Sequence, residues 1–232
     1  MKRAHETEVL GGTLPQGMLF WGPPGTGKTE VARALAKETG WSFLSTSGNE
    51  LLSDPQAIDR LYRQAKETRP AIVFIDEADD VLMDRQFSAA RSVTNKLLTI
   101  VDGAAGKVPD LLFIAATNHP QVMDSAALRG GRFTEKVEFA PPGEDDLALF
   151  IARWLADKGW QAQDTPQELA RLLEGRAIAD VQAVLQTAVN ESIASAQRAG
   201  AAVTRTIGSA ELRAAMRTVL MPPSFDDSAH RG

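Results

Sequence analysis

One stretch constrains this chain more than any other, and it reads Gly22-Pro23-Pro24-Gly25-Thr26-Gly27-Lys28-Thr29. It follows a short apolar run, residues 18–21, and leads into a helical pattern. This order of strand, glycine-rich turn and helix is the setting in which G-x-x-x-x-G-K-[ST] indicates phosphate binding. Glycine lets the backbone wrap closely around an anion, and the amide groups and the positive end of the helix then point inward. We call residues 22–29 the phosphate loop.

The phosphate loop predicts a nucleoside triphosphate and Mg²⁺ as ligands. Lys28 is expected to reach the β- and γ-phosphates, and the Thr29 hydroxyl is expected to ligate magnesium. The predicted nucleotide-binding residues are Gly22, Pro23, Pro24, Gly25, Thr26, Gly27, Lys28, Thr29 and Glu30.

Composition bears on the partners and the compartment to expect. The 232 residues include 30 acidic and 25 basic side chains, so the net charge of −5 gives no electrostatic reason to expect a nucleic-acid partner. Cysteine is absent, which predicts a cytoplasmic or other reducing compartment. The longest apolar runs, 71–75 and 111–116, are far too short to span a bilayer, and no direct membrane contact is expected.

Strand and helix patterns alternate over the first part of the chain, which predicts a parallel α/β sheet with crossover helices. The predicted strands are 17–21, 41–46, 71–76, 111–117 and 135–139, the last of them at an edge. The predicted helices between them are 28–38, 49–69 and 88–101.

The pattern changes after residues 140–143. The helical periods 144–158, 165–174, 178–199 and 209–219 follow, rich in Ala and Leu and without a β-rich run. We therefore predict an αβα nucleotide-binding core over 1–140, a small all-α domain over 144–222 and a disordered polar tail over 223–232.

Two carboxylates, Asp76 and Glu77, end the apolar strand 71–76. Ligands bind at the carboxyl ends of the strands in open α/β sheets. Asp76 is expected to hold the magnesium directly or through water, and Glu77 is expected to polarise the attacking water. Asp79 and Asp80 are interpreted as a solvated first helical turn, where acidic side chains favour the helix dipole.

Three further polar residues are candidates for catalysis. Asn118 follows the buried strand 111–117 and could hydrogen-bond a water or the γ-phosphate, or could simply be a turn residue before His119-Pro120. Arg129 and Arg132 bracket a Gly-Gly turn, and the guanidinium fork suits a transferring phosphoryl group. The alternative for each arginine is an ordinary charged surface loop.

These motifs, in this order, resemble the AAA+ ATPases and, within them, the AAA clade, whose second region of homology runs T-N-x-P, D-x-A and R-x-G-R-F. The matching positions are Thr117, Asn118, Pro120, Asp124, Ala126, Arg129, Gly131, Arg132 and Phe133. The resemblance implies a three-layer P-loop NTPase core with a helical lid, and a ring that is commonly a hexamer with shared sites. By position, Lys28 and Thr29 match the Walker A residues, and Asp76 and Glu77 match the Walker B pair. Asn118 matches sensor 1, and Arg129 and Arg132 match the two arginine fingers.

The chain departs from the family pattern after the second strand. No aromatic residue occurs between Phe43 and Tyr62, where the family places a pore loop that grips a polypeptide, and the segment is shorter. In the lid, Ala177-Ile178-Ala179-Asp180 stands where the family has Ser-Gly-Ala-Asp. Three functions stay open: a ring-forming remodeller of protein partners, an ATP-controlled adaptor that threads nothing, and a DNA-acting member, which the acidic balance disfavours.

Overall fold

A parallel sheet forms where the sequence carries its continuous apolar runs. In the computed structural model, which describes residues 15–83, 88–103, 108–125, 127–129 and 132–220, the sheet has the order β2-β3-β4-β1-β5. Its strands are β1 (Gly17–Trp21), β2 (Ser42–Ser47), β3 (Ala71–Asp76), β4 (Leu111–Thr117) and β5 (Phe133–Glu138). All four neighbouring pairs are parallel. The predicted α/β class is confirmed, with β5 at an edge.

Successive strand residues point to opposite sides of the sheet, so both faces carry apolar side chains. Helices cover both faces. They are α1 (Lys28–Thr39), α2 (Gly48–Ser53), α3 (Ala57–Glu67), α4 (Asp79–Leu82) and α5 (Ser88–Val101). One core joins Val73, Ile75 and Phe113 to apolar residues of α2, α3, α4 and α5. A second core joins Phe74 and Ile114 to α1. The sheet is therefore the middle of three layers.

The stretch 49–69, predicted as helical, is two helices rather than one. Helix α2 ends at Ser53 and α3 begins at Ala57, with Pro55 in the break. Proline lacks a backbone donor and disfavours a helical conformation in the residue before it. Ile58 and Ala65, which lie two helical turns apart on one face of α3, are both buried.

The residues after Ala140 form a separate unit, Pro141–Gly232, with its own apolar core. Its helices are α6 (Glu144–Asp157), α7 (Pro166–Leu172), α8 (Ile178–Ala199) and α9 (Ser209–Leu220). Thr165 caps α7 through a capping box with Glu168. The prediction of an all-α domain missed one parallel pair, β6 (Gln161–Ala162) with β7 (Thr206–Ile207). Two residues per strand leave too little pattern for sequence analysis to detect.

Two of the predictions concern parts of the chain that the structure does not cover. The predicted tail, 223–232, and the first fourteen residues lie outside the described residues.

Among the described residues, no helix has both the length and the apolar character needed to cross a bilayer.

The core of the helical unit provides a first test. Leu185 of α8 is fully buried, whereas Leu149 of α6 is 59% exposed. We expect Leu185→Ala to lower the free energy of unfolding by about 2–5 kcal/mol, because it removes buried apolar atoms and leaves a cavity. The matched change Leu149→Ala should stay within about 0.5 kcal/mol. Urea unfolding followed by far-ultraviolet circular dichroism measures both; equal effects would contradict this packing.

Candidate functional site

The phosphate loop adopts a backbone that only glycine tolerates well. Gly22 has φ 144° and Gly27 has φ 96°. A Cβ on Gly22 would lie 2.1 Å from the carbonyl oxygen of Phe139, whereas a Cβ on Gly27 would meet nothing within 4 Å. Gly22 is therefore required by both conformation and space, and Gly27 by conformation alone. Beside Gly27 the loop stays open, as a cradle for a phosphate requires.

Helix α1 begins directly at the loop without a side-chain cap. The first amide groups of a helix have no partner within the helix, so an anion can satisfy them. Thr26 is buried and donates its hydroxyl to the carbonyl of Pro23 at 2.9 Å, which holds the loop in shape. The predicted binding residues Pro24, Gly25 and Glu30 are exposed.

Lys28 is a buried cation surrounded by neutral acceptors. Its Nζ donates to the carbonyls of Gly22 and Pro23 at 2.8 and 2.9 Å and to Oδ1 of Asn118 at 2.8 Å. Only 7% of the residue is exposed, and burial lowers the pKa of Lys28, while the charge of Asp76 opposes that shift. The hydrogen-bond acceptors are neutral and the carboxylate of Asp76 offsets the ammonium charge only in part, so the site favours an anionic ligand.

Thr29 and Asp76 converge at the start of α1 and the end of β3. The Thr29 hydroxyl donates to Oδ2 of Asp76 at 3.2 Å. An alcohol and a carboxylate suit Mg²⁺, which prefers oxygen ligands and is commonly held by one or two protein groups together with phosphates and water. Within the described ranges, no group of three or more His, Cys, Asp or Glu residues could form an all-protein metal site. The residues therefore fit a magnesium ion that arrives with nucleotide.

Glu77 follows Asp76 in a left-handed conformation, with φ 48°. Its amide donates to Oδ1 of Asp76 at 3.0 Å, and its carbonyl accepts from the amide of Asp80 at 3.0 Å. A non-glycine residue at positive φ is costly and persists where its surroundings enforce it, often at functional sites. The Glu77 side chain is exposed and can meet a water.

Asp79 lies in the first turn of α4, as predicted, but its side chain is half-buried and hydrogen-bonded rather than simply solvated. Oδ1 of Asp79 accepts a hydrogen bond from the Thr117 hydroxyl at 2.7 Å, and that hydroxyl accepts from the amide of His119 at 2.9 Å. Thr117 is 1% exposed. The turn after β4, which carries Asn118, is therefore tied to α4. The signal in the sequence was a buried threonine at a strand end, which needs a polar partner.

The two predicted arginines lie in different environments. Nε of Arg132 donates to Oδ2 of Asp102 at 2.8 Å, in an ion pair whose side chains are 26% and 28% exposed. A Cβ on Gly17 would lie 2.6 Å from the Arg132 carbonyl oxygen, so that backbone is closely packed against β1. Arg129 is exposed. Ala126, Gly130 and Gly131, which belong to the same motif, lie outside the described residues.

The structure thus brings together four of the predicted residues. Lys28 contacts Asn118, and Thr29 contacts Asp76, at the carboxyl ends of β1, β3 and β4. Sequence reasoning missed Asp102 and Asp79 as the partners of Arg132 and Thr117. These pairs are separated by 30 and 38 positions in the chain, and only the fold brings them together.

Comparison with known proteins agrees with this geometry. Residues 18–141 match the family model described as ATPase family associated with various cellular activities (AAA). Protein CdcH of Halobacterium salinarum is 33% identical over 227 residues, 94% of this chain and 30% of its own length. The proteasome-activating nucleotidase of Methanococcus vannielii is 37% identical over 195 residues, 79% and 47% of the two chains.

A third relative, the mitochondrial ATP-dependent zinc metalloprotease FTSH 3 of Oryza sativa, is 34% identical over 233 residues, 91% of this chain and 29% of its own length. The chain therefore spans between about a third and a half of these relatives. With the family model covering more than half of its residues, the chain belongs to the AAA clade of the AAA+ ATPases.

Proposed function

We propose that this chain is the ATP-hydrolysing module of a ring-forming ATPase that remodels or disassembles protein partners. The observation that carries the proposal is the convergence of Lys28 with Asn118 and of Thr29 with Asp76 at one edge of the sheet. A nucleoside triphosphate requires what this site offers: a buried cation, two oxygen ligands suited to magnesium and an open glycine cradle.

Each residue has a distinct part in hydrolysis. Lys28 exchanges its contacts with the loop carbonyls for oxygens of the β- and γ-phosphates and compensates their charge. Thr29 and Asp76 would hold Mg²⁺, which would supply positive charge to neutralise the phosphates. Glu77 accepts a proton from the attacking water while Asn118 orients that water. The water oxygen forms a bond to the γ-phosphorus as the bond to the β,γ-bridging oxygen breaks, giving ADP and phosphate, and the proton on Glu77 then passes to solvent.

Arg129 and Arg132 are proposed to act on the site of a neighbouring subunit, in a ring that is commonly a hexamer in this family. In the single chain, Arg132 pairs with Asp102 and Arg129 faces solvent. An arginine supplied in trans stabilises the charge of the transition state and can raise the rate by several orders of magnitude. This arrangement makes hydrolysis depend on assembly.

Protein partners are proposed from the kinds of relatives this module has. One is named an ATP-dependent metalloprotease and another a proteasome-activating nucleotidase. Both names join the use of nucleotide to the breakdown of proteins. The net charge of −5 gives no comparable support to a DNA-acting role.

A second candidate is an ATP-controlled adaptor that threads no substrate, and one structural observation favours it. Helix α2 occupies the position after β2 where a gripping loop is expected, yet Leu51 is fully buried and Leu52 is half-buried. Side chains that fill the core cannot grip a polypeptide. The segment therefore offers less to a threaded chain than the family pattern implies.

The two candidates predict different responses to an unfolded protein. If the chain remodels partners through a pore, reduced and carboxymethylated lactalbumin should raise the ATPase rate by about twofold or more, because substrate binding shifts the ring toward its active state. If it is an adaptor, the rate should not change. The measurement is steady-state phosphate release with native lactalbumin as the control.

The role of Glu77 can be tested by Glu77→Gln. This change keeps the shape of the side chain but removes the base, so we expect kcat to fall about 100-fold or more. Affinity for a fluorescent ATP analogue should change by less than about threefold, because Glu77 does not hold the phosphates. Glu67→Gln, an exposed position at the end of α3, serves as the matched control. Normal turnover by Glu77→Gln would show that Glu77 is not the base.

Sharing of the site can be tested by mixing two inactive variants. Lys28→Met lacks the phosphate contact and Arg129→Ala lacks the contribution in trans. An equal mixture should regain about a quarter of normal activity, because one interface in four pairs an intact Lys28 with an intact neighbouring Arg129. Lys28→Met mixed with the double variant Lys28→Met/Arg129→Ala should stay inactive. A fully active Arg129→Ala would contradict the sharing of the site.

A further inference from the structure

Gly48, the first residue of α2, lies against the turn that carries Glu77. A Cβ on Gly48 would be 2.3 Å from the carbonyl oxygen of Glu77 and 2.9 Å from Cβ of Asp80. Non-bonded carbon atoms are most stable about 3.5–4.0 Å from their neighbours, so no side chain fits there without a shift of backbone. Gly48 is not among the glycines with positive φ. Contact, rather than conformation, therefore demands glycine at this position.

The pairing of β2 with β3 explains why these residues meet. In the parallel register, Ser47 lies opposite Asp76. Gly48 directly follows β2 and Glu77 directly follows β3, so both residues lie where the paired strands end. Helix α2 starts there and packs against α4, which starts two residues after Glu77. The start of α2 and the turn at Glu77 are thus placed together by sheet register.

Helix α2 is a firm support rather than a mobile flap. Leu51 is fully buried in the same core as Val81 and Leu82 of α4. The Ser47 side chain caps the helix by accepting from the amide of Glu50 at 3.2 Å. A displacement of α2 toward the Glu77 turn would therefore be transmitted to it, since the two elements are in direct contact at Gly48.

The turn determines where the Glu77 carboxylate points. Glu77 is at φ 48°, its carbonyl accepts from the amide of Asp80, and the amide of Ala78 donates to the Ala116 carbonyl at 2.8 Å. The exposed side chain is not fixed by packing, so its direction depends on the strained backbone beneath it. Pressure on the Glu77 carbonyl changes that backbone directly.

We propose that Gly48 is a positioning residue for hydrolysis: the missing side chain lets α2 rest directly on the Glu77 carbonyl and hold the carboxylate in line with the attacking water. This rests on the role proposed above for Glu77. The segment after β2, which lacks an aromatic grip, is on this view a mechanical support of the catalytic turn. Any partner that moves α2 would act on hydrolysis through Gly48.

The test is Gly48→Ala. We expect kcat to fall about 10- to 100-fold, because a misplacement of about 1 Å can cost that much. KM for ATP, and the affinity for a fluorescent ATP analogue, should change by less than about threefold, since the phosphate loop is not touched. Asn49→Ala, at the exposed neighbouring position of α2, is the matched control and should keep kcat within about twofold.

A double-mutant cycle with Glu77→Gln separates positioning from a general structural effect. If Gly48 acts through the Glu77 carboxylate, Gly48→Ala should change the residual kcat of Glu77→Gln by less than about twofold. Equal losses in both backgrounds, or a normal kcat for Gly48→Ala alone, would overturn this inference while leaving the role of Glu77 intact. A normal kcat for Glu77→Gln would instead refute the proposed base.

Circular dichroism and nucleotide binding show whether Gly48→Ala is folded. If it is not, Leu51→Val replaces it in the same cycle, since this change shortens the buried anchor of α2 without adding an atom at Gly48. We then expect a smaller fall in kcat, about two- to fivefold, that is absent in the Glu77→Gln background. The same fall in both backgrounds would contradict the inference.

Discussion

The contact between Lys28 and Asn118 is the interaction on which the rest of the site depends. It joins the phosphate loop, which follows β1, to the turn that follows β4, at 2.8 Å. The two strands are neighbours, with Trp21 opposite Thr117. A buried ammonium bound only by neutral oxygens is unfavourable to the folded chain, as the lowered pKa of Lys28 indicates. The same property makes the site attractive to phosphate.

Parallel pairing supplies the remaining geometry. Because all five strands are parallel, their carboxyl ends lie along the same side of the sheet, and the segments that follow the strands begin there. Lys28 begins the helix after the phosphate loop, Asp76 ends β3 and Asn118 follows β4, so parallel pairing alone makes them neighbours. The tie between Thr117 and Asp79 then stiffens this edge, since it links the turn after β4 to the helix that begins after Glu77.

The features that could be predicted from the sequence are those encoded by residues close together in the chain. Strands β3 and β4 were predictable because continuous apolar runs mark strands buried on both faces. The phosphate loop was predictable because its chemistry needs fixed residues at fixed spacing. The contact of Asp79 was missed because its partner, Thr117, is distant in the chain. The importance of Gly48 could not be foreseen either, since it arises from register between strands and not from conformation.

In the shared site proposed above, the environments of Arg129 and Arg132 suggest a division of labour. Arg132 is already ordered by Asp102 and by its packing against β1, so little conformational entropy would be lost on meeting a neighbour, but its charge is partly compensated. Arg129 is exposed and carries no such ion pair among the described residues. It would lose more entropy on binding, yet its full charge is available to a developing phosphoryl anion. Arg129 is therefore better suited to the transition state, and Arg132 to a fixed contact with the neighbouring subunit.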